Sequence, residues 1–458
     1  MLSVNRSLHA LLLLLALTAS GCSTLWPEYE KPRVDVPPPL AKPLSIDRQW
    51  WKAFRDPVLD RLIEEALANN WDLAKAAANV EEARAHLGVA RSQLSPRLDG
   101  LAQINSKQRQ LSIGQKNIDD VTTSAAVGVN AYWEIDLWDR IKQTNDAALA
   151  RYASSEHTRN ATALSISALV AESWFRLRLL EVMLGITRDA AANLKTASEL
   201  EFRRWQAGAG TELTYTQSVA EFSSTESRLP MYEKAIAATD LALQLLVGRS
   251  PRAMAEPLPR SAGLHLPDTP KEVDSMLLLR RPDVASAEQL LVAAHADVNS
   301  ARAEFYPRFT LSLLAGFIAS TSSAISGMPL FWDALAGLSG PIFDGGLVQS
   351  KAEAAEARRQ RALAHYQYTV SLAFRETYEA LVLLDTSDRR VKLVENEVSM
   401  RKKVKQLSEK SYEAGRTSKF EVLAETTKVL NAELEWSQAR LDQYVARSQY
   451  YKALGGGF

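Results

Sequence analysis

Apolar and polar residues alternate strictly in one stretch of the first half of the chain. In TTSAAVGVNAYWEIDLW, residues 122–138, one face of an extended strand would carry Val127, Val129, Ala131, Trp133, Ile135 and Leu137. A period of two over about ten residues is typical of a membrane-spanning β-strand, although a strand of a soluble sandwich produces it as well. Weaker strand patterns cover residues 97–108, 307–320 and 331–343, the last of which alternates poorly. The sequence therefore predicts about four strands.

Two much longer segments follow the period of a helix. Residues 140–206 and 347–413 contain no proline, and Gly185 is their single glycine. At ~1.5 Å per residue, each segment would form a helix about 100 Å long. Apolar residues recur there every seven positions: Ala163, Val170, Leu177, Leu184 and Ala191 in the first, and Leu363, Val370, Leu384, Val391 and Val398 in the second, with Thr377 in the same series. This heptad spacing predicts coiled-coil seams.

One order of elements occurs twice along the chain. ARSQLSPRL at 90–98 matches ARAEFYPRF at 301–309, and LEFRRWQAGAG at 200–210 matches LSEKSYEAGRT at 407–417. Such self-similarity indicates an internal duplication. We assign residues 49–250 to a first structural repeat and 276–458 to a second, joined by a proline-rich linker at 251–275. Each repeat would contain a helix, two strands and a long helical hairpin; the first helix would run from about Asp56 to Leu94 with a break near Asn69.

The two long helices end in similar turns. Gly208 and Gly415 are typical helix C-cap residues, and Thr211, Thr417 and Ser418 are typical N-cap residues of a following helix. The sequence therefore predicts a tight helix-turn-helix at each position.

Strand counting suggests how many copies assemble. A sheet of four strands would leave edge amides without partners in lipid, and single-chain outer-membrane barrels have at least about eight strands. Three chains would supply about twelve strands and a matching ring of long helices. The sequence thus predicts a trimeric tube with pseudo-sixfold symmetry, in which small residues allow close helix packing.

The N-terminus has the features of an export signal. Residues 1–21 combine Arg6, an apolar run and small residues before Cys22, which is the single cysteine of the chain. Ala19 to Cys22 resembles the bacterial lipoprotein box, in which the cysteine is lipidated, and Ser23 at the next position points to the outer membrane. Residues 22–48 are rich in proline and predict an extended, lipid-anchored strap. Trp50 and Trp51 would anchor this strap to the helices.

Composition and motifs argue against other classes of function. Lys plus Arg and Asp plus Glu number 54 each, so the formal net charge is zero and nothing favours nucleic acid as a partner. The sequence contains no Walker loop, GxSxG elbow or GxGxxG fingerprint, and its six histidines have no metal-binding spacing. We therefore expect neither an enzyme nor a cofactor or metal site.

These features together resemble the outer membrane factors of tripartite efflux systems, the TolC-like channels. The stretches that carry the resemblance are the lipoprotein box, PEYEKP, WWKAFRDPVLDRLIEEALANNWDLAKA, EIDLWDR, LLLRRPDV, GPIFDGG, the two turns and the terminal YKALGGGF. The resemblance covers essentially the whole mature chain. It implies a mainly α-helical homotrimer, with a 12-stranded outer-membrane β-barrel of four strands per chain continuous with a long periplasmic α-helical barrel.

The resemblance also implies a function and partners. The chain would be the outer-membrane exit duct for small molecules expelled by an inner-membrane transporter of the resistance-nodulation-division type, joined through a periplasmic adaptor. Two alternatives stay open: a duct for protein secretion driven by an ABC exporter, and a lipid-anchored periplasmic scaffold of coiled coil. The alternating strand at 122–138 argues against the scaffold.

The resemblance assigns roles to residues at the two turns. The adaptor-docking tips would be Ala207, Gly208, Ala209, Gly210 and Thr211 in the first repeat, and Ala414, Gly415, Arg416, Thr417 and Ser418 in the second. The periplasmic aperture would be lined by Phe420, Glu421, Glu425 and Lys428. Many family members have an Asp where this chain has Ala424, so the closing network differs here. Alternatively, the three charged residues form an ordinary solvated helix face.

Overall fold

A computed structural model describes residues 26–33, 47–113, 116–250, 252, 265–269, 278–321 and 327–457. The predicted signal peptide, Cys22, most of the strap and most of the linker lie outside these residues. The chain divides into two compact units. The first contains the described N-terminal segment with residues 80–155 and 287–366, and the second contains residues 156–286 and 367–457 with the described part of 35–79.

The predicted order of elements is found in both halves of the chain. The first half contains α1 (Pro57–Asn69), α2 (Trp71–Ser92), β1 (Arg97–Ile113), β2 (Lys116–Ile135), α3 (Arg140–Gln206), α4 (Glu212–Glu226) and α5 (Leu229–Leu246). The second half contains α6 (Pro282–Ala303), β3 (Arg308–Ser320), β4 (Leu330–Ser339), α7 (Leu347–Glu413) and α8 (Lys419–Ala453). The Asp56 side chain caps α1 by accepting the Val58 N–H at 2.9 Å, and the break predicted near Asn69 separates α1 from α2.

The two long helices have the predicted bounds, and each contains 67 residues. In α3 all five seam residues are buried, from Ala163 to Ala191. In α7 the seam is buried from Val370 to Val391, while Leu363 and Val398 at its ends are half-buried. Burial at every seventh position shows that these side chains form the packing stripe of each helix.

The four strands form one antiparallel sheet in the order β1-β2-β3-β4. Register fixes which side chains share a face, because directly paired residues point to the same side. Val129 of β2 lies opposite Gly100 of β1 and Ala315 of β3, and Ala315 lies opposite Trp332 of β4. Within the described residues, β1 and β4 each pair on one side only.

One face of the sheet is apolar in all four strands and exposed in the isolated chain. We call it the apolar sheet face; its larger side chains are Leu98 and Ile104 of β1, Val127, Val129, Trp133 and Ile135 of β2, Phe309, Leu311, Leu313 and Phe317 of β3, and Leu330, Trp332 and Leu338 of β4. Ile104 is 81% exposed and Trp332 71% exposed. The opposite face carries polar residues such as Asp99, Asn130 and Thr310. A continuous apolar surface of this kind is suited to lipid, and the alternation in β2 separates an apolar face from a more polar one.

A charge on the apolar sheet face should prevent stable membrane insertion. An arginine at a lipid-facing position costs about 2–4 kcal/mol near the bilayer midplane, so we expect Val129→Arg to reduce the amount of assembled protein in outer-membrane fractions. Asn130→Arg is the matched control, because the adjacent side chain points to the polar face. Equal amounts of both variants in the membrane would contradict the assignment of the two faces.

The second unit has an aromatic core. Trp50 is buried and stacks on Tyr451 with ring centroids 5.4 Å apart, and Phe54 contacts Phe175 at 4.8 Å. Trp51 is also buried in this cluster. The tryptophans are therefore core residues, as predicted, although most of the strap that they would hold lies outside the described residues.

The tryptophans at the strand ends are placed differently from one another. Trp138 is not free to face lipid, because its indole N–H donates to the Pro307 carbonyl at 2.7 Å and its ring stacks on Tyr306 at 4.9 Å. Trp133 donates to the Leu94 carbonyl at 3.2 Å, whereas Trp332 is open. In the part of the chain that the structure describes, no helix combines the length and apolar character needed to cross a bilayer.

Candidate functional site

The two turns have the same backbone structure. After α3, the Gly208 N–H donates to the Trp205 carbonyl at 3.0 Å and the Ala209 N–H donates to the Arg204 carbonyl at 2.8 Å. After α7, the Gly415 and Arg416 N–H groups make the equivalent bonds to Tyr412 and Ser411, both at 2.9 Å. This pair of bonds is the Schellman motif, which satisfies the last carbonyls of a helix. The sequence match between the repeats therefore reflects one shared turn geometry.

The central glycine of each turn is required for its backbone angle. Gly208 has φ +72° and Gly415 has φ +71°, a region that side-chain-bearing residues seldom adopt. A Cβ at either position would meet nothing within 4 Å. The space above both turns is thus open, and the constraint is conformational.

Most residues of the two predicted tips are exposed. We call residues 207–211 the first tip and 414–418 the second tip. Gly210 and Thr417 are half-buried, and the other eight residues are exposed. Each tip therefore presents a small, open surface of backbone and short side chains, and Arg416 of the second tip is the single long side chain among the ten residues.

A hydroxyl residue starts the helix that follows each tip. Thr211 accepts the Thr214 N–H at 3.2 Å in a reciprocal capping box, and Ser418 accepts the Glu421 N–H at 3.3 Å. The N-cap of the second helix is thus Ser418 rather than Thr417. The Thr417 hydroxyl oxygen is buried, and among the described atoms it has no hydrogen-bond partner.

The two hairpins contact each other just before the tips. The Arg204 guanidinium donates to the Tyr412 hydroxyl at 2.6 Å and to the buried Glu201 carboxylate at 3.3 Å. The Lys419 ammonium lies 5.1 Å from the centre of the Tyr412 ring. Tyr412 therefore links the end of α7 both to α3 and to the start of α8.

Equivalent aromatic residues serve different contacts in the two repeats. Trp205 occupies the position in the first repeat that Tyr412 occupies in the second, three residues before the glycine. Its ring stacks on Tyr215 at 5.5 Å with an interplanar angle of 9°, and Phe202 packs against Tyr215 at 5.2 Å. The first hairpin is thus stabilised by aromatic stacking within itself, whereas the second uses a polar link to its neighbour.

The predicted aperture residues lie on the first turns of α8, where Phe420 and Glu421 are on the exposed side of the helix. Val422, Leu423 and Val429 are buried, whereas Phe420 is 38% exposed and Glu421 is exposed. Glu421 forms no ion pair with any described residue. The apolar ring position and one acidic position are therefore open in the isolated chain.

The remaining two aperture residues form a pair. Lys428 donates to the Glu425 carboxylate at 2.7 Å, and Glu425 is the more buried of the two side chains. The second oxygen of Glu425 is buried and makes no hydrogen bond to any described residue. Ala424 adds no charge. The charges of Glu425 and Lys428 therefore balance each other within one chain.

Two further side-chain links join the hairpins near the aperture. The Thr427 hydroxyl donates to the Glu221 carboxylate at 3.0 Å, and the Arg228 guanidinium donates to the Asn431 side chain at 2.8 Å. Together with Arg204 and Tyr412, these residues were missed by sequence reasoning. The duplication contained a partial signal, because it aligned Trp205 with Tyr412, but it did not indicate which helix either residue would contact.

The described residues contain no group of three or more His, Cys, Asp or Glu side chains placed to hold a metal ion. The chemistry at the tips and the aperture is instead that of surface shape, hydrogen bonding and charge. Such a site can dock another chain or narrow a passage.

The fold and the site define an outer-membrane channel protein with a helical periplasmic extension. The structure resembles the open state of the Neisseria gonorrhoeae MtrE outer membrane channel with a TM-score of 0.81 and 26% identity, covering 95% of this chain and 98% of the other. The chain belongs to the outer membrane efflux protein family, which it matches over residues 62–249 and 274–456. The gap between the two matched segments, residues 250–273, contains most of the linker.

Curated relatives match over nearly the full length. The chain is 31% identical over 465 residues to the pyoverdine export outer membrane protein OpmQ of Pseudomonas putida, covering 98% of this chain and 97% of the relative. It is 32% identical over 464 residues to the outer membrane protein OprJ of Pseudomonas aeruginosa, covering 97% and 95%. These relatives and the family are channel proteins. The predicted TolC-like fold, the outer-membrane location and the role in efflux are confirmed.

Proposed function

We propose that three copies of this chain form one tube that serves as the exit duct of a tripartite efflux pump. Cys22 would anchor each copy in the outer membrane, and the energy for export would come from an inner-membrane transporter of the resistance-nodulation-division type. A passive duct needs no catalytic residue. The observation that carries this proposal is the four-stranded sheet with an exposed apolar face and two edges that no described strand covers.

The sheet edges support the assembly of several copies. β1 and β4 each lack a second partner strand within the described chain, and unpaired edge amides cannot remain in lipid. Pairing β4 of one copy with β1 of the next would satisfy both edges. Three copies would close a barrel of twelve strands with the apolar sheet face outward.

The two tips support docking of a periplasmic adaptor. Their exposed small residues allow another helical hairpin to approach the backbone closely, and the shared turn geometry gives the same backbone shape at both positions. Phe420 and the exposed Glu421 would then narrow the tube just inside the tips. Glu425 and Lys428 would act as a neutral pair beside this constriction.

The exported molecule could be an antibiotic, solvent, dye, metal ion or siderophore. OpmQ is named for pyoverdine export, which favours small molecules over proteins. A duct for ABC-driven protein secretion would use the same architecture. A coiled-coil scaffold is disfavoured, because it has no use for the apolar sheet face.

The mass of the purified assembly tests the proposal. We expect protein extracted from outer-membrane fractions in mild detergent to contain three chains per particle and to resist dissociation, because the shared barrel has no free edge. Native mass spectrometry or light scattering with correction for detergent would measure the number of chains. A monomer or a two-chain rod released without detergent would overturn it.

A further inference from the structure

A cavity of about 390 Å³ lies between three helices of the first unit. Its lining from α7 includes Arg358, Arg361 and His365, and its lining from α6 includes Leu290, Ala293 and Ala294. The three α7 residues are spaced by three, four and seven positions, and Ala293 and Ala294 follow Leu290 by three and four positions, so each set lies on one side of its helix. The cavity thus has one basic wall and one apolar wall.

The basic wall carries an excess of positive charge. Arg151 of α3 also lines the cavity, but it is neutralised by an ion pair with Asp297 of α6. Arg358 and Arg361 are exposed, and the guanidinium group of neither forms an ion pair or hydrogen bond with another described residue. Two unpaired guanidinium groups on neighbouring turns of one helix repel each other in the empty cavity, and an anion between them would relieve this repulsion.

The N-terminal segment covers one face of α6, and the cavity lies on the opposite face. Residues 26–33 pack on this helix, where Lys31 binds the Glu288 carboxylate at 2.6 Å and the His295 ring lies 2.9 Å from the Pro27 carbonyl. With 3.6 residues per turn, Glu288 and His295 are on one face of the helix. Leu290, Ala294 and Asp297 fall about half a turn away, on the opposite face.

The N-terminal segment leads back to the predicted lipid-bearing Cys22. A lipid anchor must reach the membrane around the tube rather than the passage within it, so the covered face of α6 is the outer one. The opposite face, with the cavity, faces the passage. This step rests on the proposed tubular assembly.

We propose that this basic cavity is a binding station for small organic anions passing through the duct. The two guanidinium groups would hold carboxylate, sulfonate or phosphate groups, and the apolar wall would cover the body of the molecule. An inorganic anion would use the basic wall alone. The cavity therefore favours anions with an apolar body over both inorganic anions and neutral molecules.

Binding of naphthalene-1,5-disulfonate tests this inference. This probe is rigid, soluble in water and carries two negative charges on an aromatic body. We expect the wild-type protein to bind one probe per chain in equilibrium dialysis at low ionic strength, where charge interactions are least screened. Arg358→Gln/Arg361→Gln should weaken binding at least tenfold, and Ala362→Leu, which places a larger side chain in the cavity lining, should also weaken it.

Charge-matched controls separate the cavity from a general effect of net charge. Arg375→Gln/Arg389→Gln removes two exposed arginines of α7 that do not line the cavity, and we expect this variant to bind like the wild type. Sulfate should compete only at much higher concentration than the probe. Unchanged binding in Arg358→Gln/Arg361→Gln, or an equal loss in the control, would overturn the inference.

Measuring the number of chains per particle in the same samples distinguishes a failure of the binding inference from a failure of the proposed trimer. A particle without three chains contradicts the tube itself. A three-chain wild-type particle that does not bind the probe contradicts only the binding station. Loss of the three-chain particle in Arg358→Gln/Arg361→Gln would show that these arginines join neighbouring copies, and would also overturn the inference.

Discussion

Replacing Gly415 with tryptophan should abolish efflux while trimers remain in the outer membrane. The substitution places a bulky side chain on the second tip, where a Cβ meets no atom of the chain within 4 Å. The left-handed backbone costs about 1–2 kcal/mol for a residue with a side chain, which a large helical protein tolerates. The ring would instead occupy the space that an approaching adaptor hairpin needs. Drug susceptibility of cells and the amount of trimer in outer-membrane fractions measure the two effects.

Two control variants separate docking from folding at this position. Gly327 has φ +80° and equally open space around its Cβ, but it lies between β3 and β4. Gly327→Trp therefore imposes similar backbone strain away from the tips and should leave efflux intact. Gly415→Asn should retain most of the activity, because asparagine tolerates the left-handed region and its side chain is short. If Gly415→Trp lost its trimers, the glycine would be a folding residue rather than a docking residue.

Replacing Phe420 with alanine should open the periplasmic end of the tube. Phe420 is 38% exposed in the isolated chain, and it is the apolar side chain next to the second tip. Three such rings around a threefold axis would exclude water from the constriction, since apolar constrictions close passages by dewetting. We expect single-channel conductance in planar bilayers to rise about twofold or more, and large antibiotics to leak into cells.

The duplication supplies a matched control for this variant. Leu213 stands five residues after Gly208, as Phe420 stands five residues after Gly415, and Leu213 is 65% exposed. Leu213→Ala thus removes an exposed apolar side chain from the equivalent place in the first repeat, and we expect little change in conductance. Equal effects of the two variants would mean that both repeats line the constriction. Unchanged conductance in Phe420→Ala would contradict its role there.

The elements that were predictable from the sequence are those with long, regular patterns. The 67-residue helices are free of proline over their whole length. Their predicted ends at Arg140 and Gln206, and at Leu347 and Glu413, are therefore the observed ends. The strand β2 was predictable because apolar side chains form one of its faces and more polar side chains form the other, which produces a strict alternation in the sequence. The strand β4 alternates poorly, and its predicted range of 331–343 extends beyond the observed end of the strand at Ser339.

Contacts between distant segments were not predictable. The Arg204 bond to Tyr412 joins residues 208 positions apart, and nothing in either local sequence indicates it. Glu425 and Lys428 were identified as aperture residues, but as separate charges rather than as the pair that they form. Spacing of three residues on a helix permits such a pair, yet it does not decide between pairing and solvation. The roles of the tips and the aperture are still predictions for the same reason, since they depend on neighbouring chains.

The two tips have a consequence for the stoichiometry of the pump. In a threefold assembly, tips of the two repeats would alternate around the rim, three of each kind, with one backbone shape throughout. Their side chains differ, because Ala209 in one tip corresponds to Arg416 in the other. Six adaptor molecules of identical sequence would therefore meet two classes of site. The six tips of equal backbone shape would set the number of bound adaptors at six. The different side chains of the two kinds of tip would divide these adaptors into two sets of three that bind with unequal affinity.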